Sequence, residues 1–267
     1  MGKVAGVIGW PVKHSLSPKL HGYWLKQYGI DGEYKAQGVE PTDLKDFLKS
    51  LPQTGWQGCN LTLPHKEAAF KLVDELDDIA RAVGAVNTII VKDGKLLGRN
   101  SDVYGFAENI RPHLRAKNKA VVIGAGGAAY AVVQALLQEG FKKVEVTNRT
   151  ESRAQVLREH FKNKISVLPW ESRHRLEGAD LLVNTTSQGM VGQEPLDLKL
   201  DALPKEALVT DIVYTPLITP LLAQAKARGN TIVDGLGMLI HQGVPGFEAW
   251  FGVRPEVTEQ LRRYLLQ

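Results

Sequence analysis

The chain has 267 residues, room for two domains at roughly 100–200 residues each. Its 43% apolar and 23% charged residues are the balance of an ordinary soluble globular protein, and exclude a disordered or fibrous chain. The net charge of +4 is small and spread along the chain; it argues for no nucleic acid and no membrane surface as partner, and is compatible with anionic small molecules.

The single cysteine, Cys59, excludes an intrachain disulfide. The first ten residues lack the pattern of a signal peptide, and no stretch reaches the ~18 apolar residues of a membrane span, so the cytoplasm is the expected location.

The first part of the chain alternates strand and helix. Residues 3–8 read as a strand. Residues 18–28 have helical spacing and end at Gly29, a cap. Residues 32–39 form a second strand, and 41–51 a helix with Pro41 at its start. Residues 56–63 are a third strand, stopped by Pro64, and a long helix over 66–83 follows. Residues 87–91 and 95–99 form a hairpin around Asp93-Gly94. A helix over 103–114 connects to the second half.

There the pattern changes. Residues 120–123 are a continuous apolar run, as in a strand buried on both faces. A small, flexible stretch, 124–129, leads to a helix over 130–139. Strands follow at 143–147, 181–184, 208–212 and 231–233, separated by helical stretches. This alternation predicts a doubly wound parallel sheet. Residues 239–267 are mostly helical. The expected fold class is α/β, an N-terminal α/β substrate domain plus a Rossmann-type dinucleotide domain. The expected segments are 1–102, 103–236, and a C-terminal helical piece, 237–267, returning to the first domain.

The turn Gly124-Ala125-Gly126-Gly127-Ala128-Ala129 is G-x-G-x-x-A after a strand and before a helix, the context of a dinucleotide fingerprint. Gly124 permits the tight turn, Gly126 lets backbone approach a pyrophosphate, and Ala129 keeps helix close to strand. The helix N-terminus offers free N–H groups to phosphate. The bland reading is a glycine-rich turn of any α/β protein. The next strand ends in Thr147-Asn148-Arg149-Thr150, with Arg153 one turn on and no carboxylate at the tip. An arginine pair, with Asn148 and Thr150 as neutral donors, suits a 2′-phosphate and favours NADP over NAD. The competing reading is two solvated arginines.

Four polar clusters mark the first ~100 residues. In His14-Ser15-Leu16-Ser17-Pro18, alternation on an extended segment would point Ser15 and Ser17 the same way, suiting a carboxylate or polyol; helix capping before Pro18 competes. In Asn60-Leu61-Thr62-Leu63-Pro64-His65-Lys66, Asn60, Thr62 and Pro64 share a face and Lys66 begins a helix. A lysine there sits at the unfavourable end of the helix dipole, a cost to stability and an aid to proton transfer. A solvated surface lysine is the alternative. Gly84-Ala85-Val86-Asn87-Thr88 places a polar pair ahead of an apolar strand, and Asn100-Ser101-Asp102 closes the hairpin. Asp102 could equally cap the next helix. No cluster has metal-ligand spacing, so no metal is expected.

Together these segments resemble the shikimate dehydrogenase family over essentially the whole chain. The family's H-S-x-S-P matches residues 14–18, N-x-T-x-P-x-K matches 60–66, G-A-x-N-T matches 84–88, and N-[TS]-D-x-x-G matches 100–105. In the second half G-A-G-G-A matches 124–128 and N-R-T-x-x-R matches 148–153. D-x-x-Y-x-P matches 211–216, and G-x-x-M-L-x-x-Q matches 235–242. His21-Gly22 departs from the usual His-Asn and Ser187 from the usual proline, neither at a position with a chemical role.

The resemblance implies a catalytic pair, Lys66 and Asp102. It implies Ser15 and Ser17 at the substrate carboxylate with Tyr214 nearby, and Asn60, Thr62, Asn87 and Gln242 at ring hydroxyls. Ile212, Gly235 and Met238 would line the nicotinamide pocket, Gly124, Ala125, Gly126, Gly127, Ala128, Asn148, Arg149, Thr150 and Arg153 would hold the rest of NADP, and Asp78 matches an acidic position sometimes linked to the cofactor. The implied reaction is NADPH-dependent reduction of 3-dehydroshikimate to shikimate in aromatic amino-acid biosynthesis, by a monomer or homodimer. Three rivals remain: an NAD-linked quinate/shikimate dehydrogenase, a non-catalytic nucleotide sensor on this fold, and a methylenetetrahydrofolate dehydrogenase. The sensor needs neither Lys66 nor Asp102, and the last needs no serine pair.

Overall fold

The structure, a computed structural model, describes residues 2–267. The chain divides into two compact units, Met1–Gly105 with Leu239–Gln267, and Phe106–Met238.

The first unit holds β1 (Lys3–Gly9), α1 (Ser17–Gln27), β2 (Gly32–Gly38), α2 (Leu44–Ser50), β3 (Trp56–Leu61), α3 (Lys66–Phe70), β4 (Glu75–Leu76), α4 (Asp78–Val83), β5 (Thr88–Lys92) and β6 (Lys95–Arg99). Its six-stranded sheet runs β2-β1-β3-β5-β6-β4, parallel at β1–β2 and β1–β3 and antiparallel through the β5–β6 hairpin. Ile8, Cys59, Leu61 and Ile89 of the sheet pack with Leu44, Leu48 and Ala80 of the helices in one core. The C-terminal helices α9 (Gly235–Phe251) and α10 (Glu259–Leu266) bring a second set of contacts. Trp250 is buried and donates its indole N–H to the Ile89 carbonyl at 3.0 Å.

α5 (Asp102–Ile110) leads to the second unit, which holds β7 (Lys119–Ile123), α6 (Gly127–Gln138), β8 (Lys143–Thr147), α7 (Glu151–His160), β9 (Ser166–Val167), β10 (Leu181–Asn184), β11 (Leu208–Asp211), α8 (Pro220–Ala227) and β12 (Thr231–Val233). All its strand pairs are parallel, in the order β12-β11-β10-β7-β8-β9. Counted from β7, that is the doubly wound Rossmann order, whose direction reverses between β7 and β10; ligands of such sheets bind beyond the strand carboxyl ends at that reversal. β7 and β10 are buried almost throughout, which explains their continuous apolar runs.

Several expected helices differ in their bounds: that over 103–114 gives way after Ile110 to a 3₁₀ turn, Arg111–His113, and that over 130–139 begins at Gly127. The helix placed at 41–51 begins at Leu44, because Pro41 lies in a turn closed by the Asp43 N–H on the Glu40 carbonyl; it ends in a single 3₁₀ turn, Leu51–Gln53. The long helix over 66–83 is two short helices with a strand between them. Asp74 accepts from the Leu96 N–H at 2.7 Å, and β4 then pairs with β6. Asp77 caps α4 through the Ala80 N–H, and Gly84 ends it in the left-handed region. The free edge of β6 offers backbone partners that helical periodicity does not reveal, and tertiary pairing overrides it.

Candidate active site

Lys66 is the first residue of α3, and its ammonium donates to Asp102 Oδ2 at 2.6 Å. The pair is neither sealed nor fully solvated: the side chains are 30% and 13% exposed. Asp102 opens α5, yet it is not the cap. Asn100 Oδ1 takes the Asp102 N–H at 3.1 Å, which leaves the carboxylate free for side chains. Its other oxygen accepts from Asn87 Nδ2 at 2.8 Å. Asn87 is buried, and its Oδ1 receives the Ser101 N–H at 2.7 Å and the Thr88 hydroxyl at 2.9 Å. Thus the β5–β6 hairpin fixes the carboxylate from both ends, and the hydrogen bond to the Val86 N–H ties the Lys66 backbone to the same hairpin.

Ser15 and Ser17 do not lie on an extended segment. Leu16 between them is helical, and Ser17 is already inside α1. The Ser15 hydroxyl accepts the Ser17 N–H at 3.2 Å, so the capping alternative describes its oxygen while its proton stays available to a ligand. Asn60, buried at the end of β3, receives the Tyr34 hydroxyl at 2.6 Å. Thr62 follows, half-buried, with its N–H on the Ile8 carbonyl. Gln242 is buried in α9, its amide donating to the Leu239 carbonyl at 3.0 Å. Asp78 is exposed in the first turn of α4.

In the second unit the turn after β7 uses glycine in two ways. Gly124 has φ +107°, and a β-carbon there would stand 2.6 Å from Thr185 Oγ1. Only glycine fits. At Gly126 and Gly127 the reverse holds: a β-carbon would meet nothing within 4 Å. Their backbone faces open space, at the N-terminus of a twelve-residue helix with no side-chain cap and no acidic residue in its first turn. That is an anion cradle, and it fits a pyrophosphate. Ala129 is fully buried, which explains why the helix lies close.

Asn148 ties this turn to β8. Its Oδ1 accepts the Ala125 N–H at 3.1 Å and its Nδ2 donates to the Thr150 carbonyl at 2.8 Å. The amide therefore shapes the loop as well as offering a donor. Arg149, Thr150 and Arg153 are exposed beside it, and neither arginine has a carboxylate partner among the described residues. Two unneutralised guanidiniums at a strand tip without an acid fit a 2′-phosphate. Ile212 follows β11, and Gly235 packs so closely on it that a β-carbon would lie 2.3 Å from the Ile212 carbonyl oxygen. Met238 lies one turn further along α9, half-buried. Tyr214 is also half-buried, and burial pushes its phenol above the usual range.

A family model described as the shikimate dehydrogenase substrate binding domain matches residues 7–89, and one described as shikimate / quinate 5-dehydrogenase matches 106–234. The chain belongs to the shikimate dehydrogenase family. A third family model, the shikimate 5′-dehydrogenase C-terminal domain, matches residues 235–260. Shikimate dehydrogenase (NADP(+)) of Paramagnetospirillum magneticum is 54% identical over 99% of this chain and 98% of its own length. The solved shikimate 5-dehydrogenase of Thermus thermophilus, in complex with NADP(H) and shikimate, is 39% identical, with a TM-score of 0.89 over 99% of this chain and 100% of its own. A quinate dehydrogenase from Corynebacterium glutamicum in complex with NAD is 31% identical, with a TM-score of 0.92 over 99% of each chain. Backbone likeness alone does not separate the two cofactors in this family; the residues at the tip of β8 bear on that choice.

The structure gathers Lys66, Asp102, Asn87 and Asn60 into one hydrogen-bonded group in the first unit, and the glycine turn with Asn148 into another in the second. Tyr34 and Asp211 were given no role by sequence reasoning, and Thr88 entered only as the second member of a polar pair. Tyr34 carried one signal, an aromatic residue with a polar tip in an otherwise polar strand. Asp211 is fully buried, accepting from Asn184 Nδ2 at 3.1 Å, the Thr219 hydroxyl at 2.8 Å and the Val213 N–H at 3.0 Å. It knits the loops after β10 and β11, and its only signal was its place at the head of a quoted motif.

Proposed function

We propose that this chain catalyses the reversible NADPH-dependent reduction of 3-dehydroshikimate to shikimate, a step of aromatic amino-acid biosynthesis, in the cytoplasm. The observation that carries the reading is the Lys66–Asp102 pair, 2.6 Å apart and partly open, in a chain of this family. NADPH, when bound, supplies the hydride. Gly124 to Ala128 would hold its pyrophosphate, and Asn148, Arg149, Thr150 and Arg153 its adenosine phosphate. Ile212, Gly235 and Met238 would border its nicotinamide, with Asp78 a further contact.

The chain's own residues do the rest. Charge develops on the ketone oxygen as it is reduced, and a donor aimed at that oxygen is worth ~3 kcal/mol. Lys66 Nζ is that donor and gives up the proton, while Asp102 holds the ammonium in place and shares the relay; in the reverse direction the hydroxyl proton returns by the same route, to Lys66 with the Asp102 carboxylate as the base behind it. Ser15 and Ser17 bind the substrate carboxylate, assisted by Tyr214. Asn60, Thr62, Asn87 and Gln242 receive the ring hydroxyls. A nucleotide sensor would have no use for an ammonium clamped to a carboxylate at an accessible site. The protein acts as a monomer or homodimer.

The test is shikimate oxidation followed at 340 nm, about the absorbance band of the reduced nicotinamide that the reaction generates, with NADP⁺ and with NAD⁺, on wild type and Lys66→Ala. Turnover with NADP⁺ that collapses in the variant supports the reading. Equal turnover in the variant removes Lys66 from the chemistry, and a preference for NAD⁺ turns the assignment toward the quinate-type enzymes.

A further inference from the structure

Behind the proposed ring-hydroxyl contacts runs a buried chain of polar groups, two of which, Tyr34 and Thr88, the reaction as described leaves unused. It begins at Tyr34, the one buried residue of β2. The phenol O–H donates to Asn60 Oδ1 at 2.6 Å. Asn60 Nδ2 donates both to the Asn87 carbonyl at 3.2 Å and to Thr88 Oγ1 at 3.1 Å. The Thr88 hydroxyl donates in turn to Asn87 Oδ1 at 2.9 Å, and Asn87 Nδ2 donates to Asp102 Oδ1 at 2.8 Å. Every donor in this run points the same way, from Tyr34 toward the carboxylate that Lys66 holds.

The directionality has a consequence for Asn60. Both of its amide hydrogens are committed, and a flipped amide would set Oδ1 against the Asn87 carbonyl oxygen. What remains for a ligand is a lone pair on Oδ1, so Asn60 accepts from a substrate hydroxyl. Tyr34 marks that oxygen by donating to it. The tyrosine ring is itself held: His21 stacks on it in parallel, centroids 3.9 Å apart and planes 2° apart. His21 is fully buried among Trp24, Phe247 and Trp250, and neither ring nitrogen finds a hydrogen-bond partner. Burial lowers the imidazole to about 3, so the ring is neutral, and it serves as a flat platform. Burial likewise pushes the Tyr34 phenol well above its ordinary value, keeping it a donor at neutral pH.

We propose that Tyr34 is a positioning residue for this reaction: its hydroxyl orders the Asn60 amide and, through Thr88 and Asn87, the Asp102 carboxylate that works with Lys66. The inference rests on the function proposed above and deepens it. Tyr34 touches no reacting atom; it acts through the groups it orients. Buried networks of this kind are coupled, so removing the first member is felt at the last.

The experiment compares Tyr34→Phe, Asn60→Ala, the double variant and Lys66→Ala in shikimate oxidation with NADP⁺. Phenylalanine keeps the ring on His21 and removes only the hydroxyl. The expected result is a fall in kcat/KM for shikimate of about tenfold or more, the scale on which small misplacements act. KM for NADP⁺ should stay close to wild type, the melting temperature should fall by no more than the loss of one buried hydrogen bond implies, and the double variant should be no worse than Asn60→Ala alone. Wild-type kcat/KM for shikimate in Tyr34→Phe, or losses that simply multiply in the double variant, overturn the proposal. A merely structural tyrosine would lower the melting temperature and leave the shikimate parameters of the folded enzyme alone, which also overturns it. If Tyr34→Phe does not fold, Thr88→Val breaks the next link with little change of shape. A like fall in kcat/KM there supports the proposal, and wild-type kinetics there sink it. Full activity in Lys66→Ala defeats the reaction itself, whereas an impaired Lys66→Ala beside a normal Tyr34→Phe defeats only this inference.

Discussion

The Asn87 amide occupies Oδ1 of Asp102 at 2.8 Å and thereby leaves Oδ2 to the Lys66 ammonium. One carboxylate is thus held between two donors, one neutral and one charged. Asp102→Asn keeps the shape and reverses the logic, since its amide nitrogen must face either the ammonium or the Asn87 amide. We expect kcat for shikimate oxidation to fall by about 100-fold or more, the scale of general acid–base catalysis. NADPH binding, followed by nucleotide fluorescence, should be unchanged. Turnover equal to wild type would remove Asp102 from the reaction.

The glycine turn separates two uses of the same residue type. Gly124→Ala places a β-carbon 2.6 Å from Thr185 Oγ1 at a φ of +107°. Thr185 cannot swing away without losing its 2.9 Å bond to the Ile123 carbonyl. The substitution should destabilise the second unit by about 1–3 kcal/mol, the cost of a strained backbone, seen as a lower unfolding midpoint. Gly126→Ala meets open space at an ordinary φ of −88°. It should leave the midpoint alone and weaken NADPH binding, because its methyl stands where the pyrophosphate would approach. Equal stability in both variants would refute this division.

Arg149 just beyond β8 and Arg153 in the first turn of α7 stand exposed, with no acid among the described residues to neutralise them. Replacing both with alanine should lower kcat/KM for NADP⁺ by roughly 100-fold or more, the scale of two lost charge-assisted hydrogen bonds. The value for NAD⁺, which lacks the 2′-phosphate, should change little. Parallel losses with the two cofactors would mean that the arginines support the fold rather than choose the nucleotide.

These sites were legible in the sequence to different depths, for physical reasons. The parallel sheet announced itself because β7 and β10 are buried almost throughout, and apolar residues fill all of their positions but Lys119 at the start of one and Asn184 at the end of the other. Gly124 to Ala129 was readable because two demands fall at a fixed spacing: Gly124 needs its positive φ, and Gly126 leaves room for a phosphate. Lys66 and Asp102 were found through short motifs, yet their meeting is a tertiary fact made by the hairpin. The break between α3 and α4 was hidden, since it depends on the free edge of β6 and not on local propensity. The helical turn at Leu16, which reorients Ser15 and Ser17, was hidden for a like reason: alternation presumes an extended backbone. Tyr34 showed only as an aromatic residue in a polar strand, because its role lies in a hydrogen bond across 26 residues.

Asp211 offers a prediction about stability. Its carboxylate is fully buried with no cation beside it among the described residues, and burial pushes its pKa up against the pull of the Val213 N–H, Asn184 and Thr219. All three partners donate. Asp211→Asn would turn one acceptor into a donor facing Asn184 Nδ2, leaving a buried group unmatched at a cost of about 1–3 kcal/mol. The urea midpoint should fall accordingly. An unchanged midpoint would show that the network tolerates an amide.

Glu145 on β8 gives the opposite sign. Its carboxylate lies 2.8 Å from the Lys119 ammonium and 2.6 Å from that of Lys143. Burial alone would raise its pKa, but the hydrogen bonds and charges of the two lysines outweigh that and hold it below the ordinary carboxylate value. A folded-state pKa below the unfolded one means that the folded state prefers the ionised form. The stabilisation is therefore fully present above the ordinary range and is lost as pH falls through the lowered value. Glu145→Gln should cost about 1 kcal/mol at neutral pH, where partly solvated pairs of this kind stand, and the gap to wild type should close in acid. Added salt should narrow it at neutral pH as the charges are screened. A gap in urea stability that stays constant from neutral pH into acid would mean that the glutamate acts through packing and not through its charge.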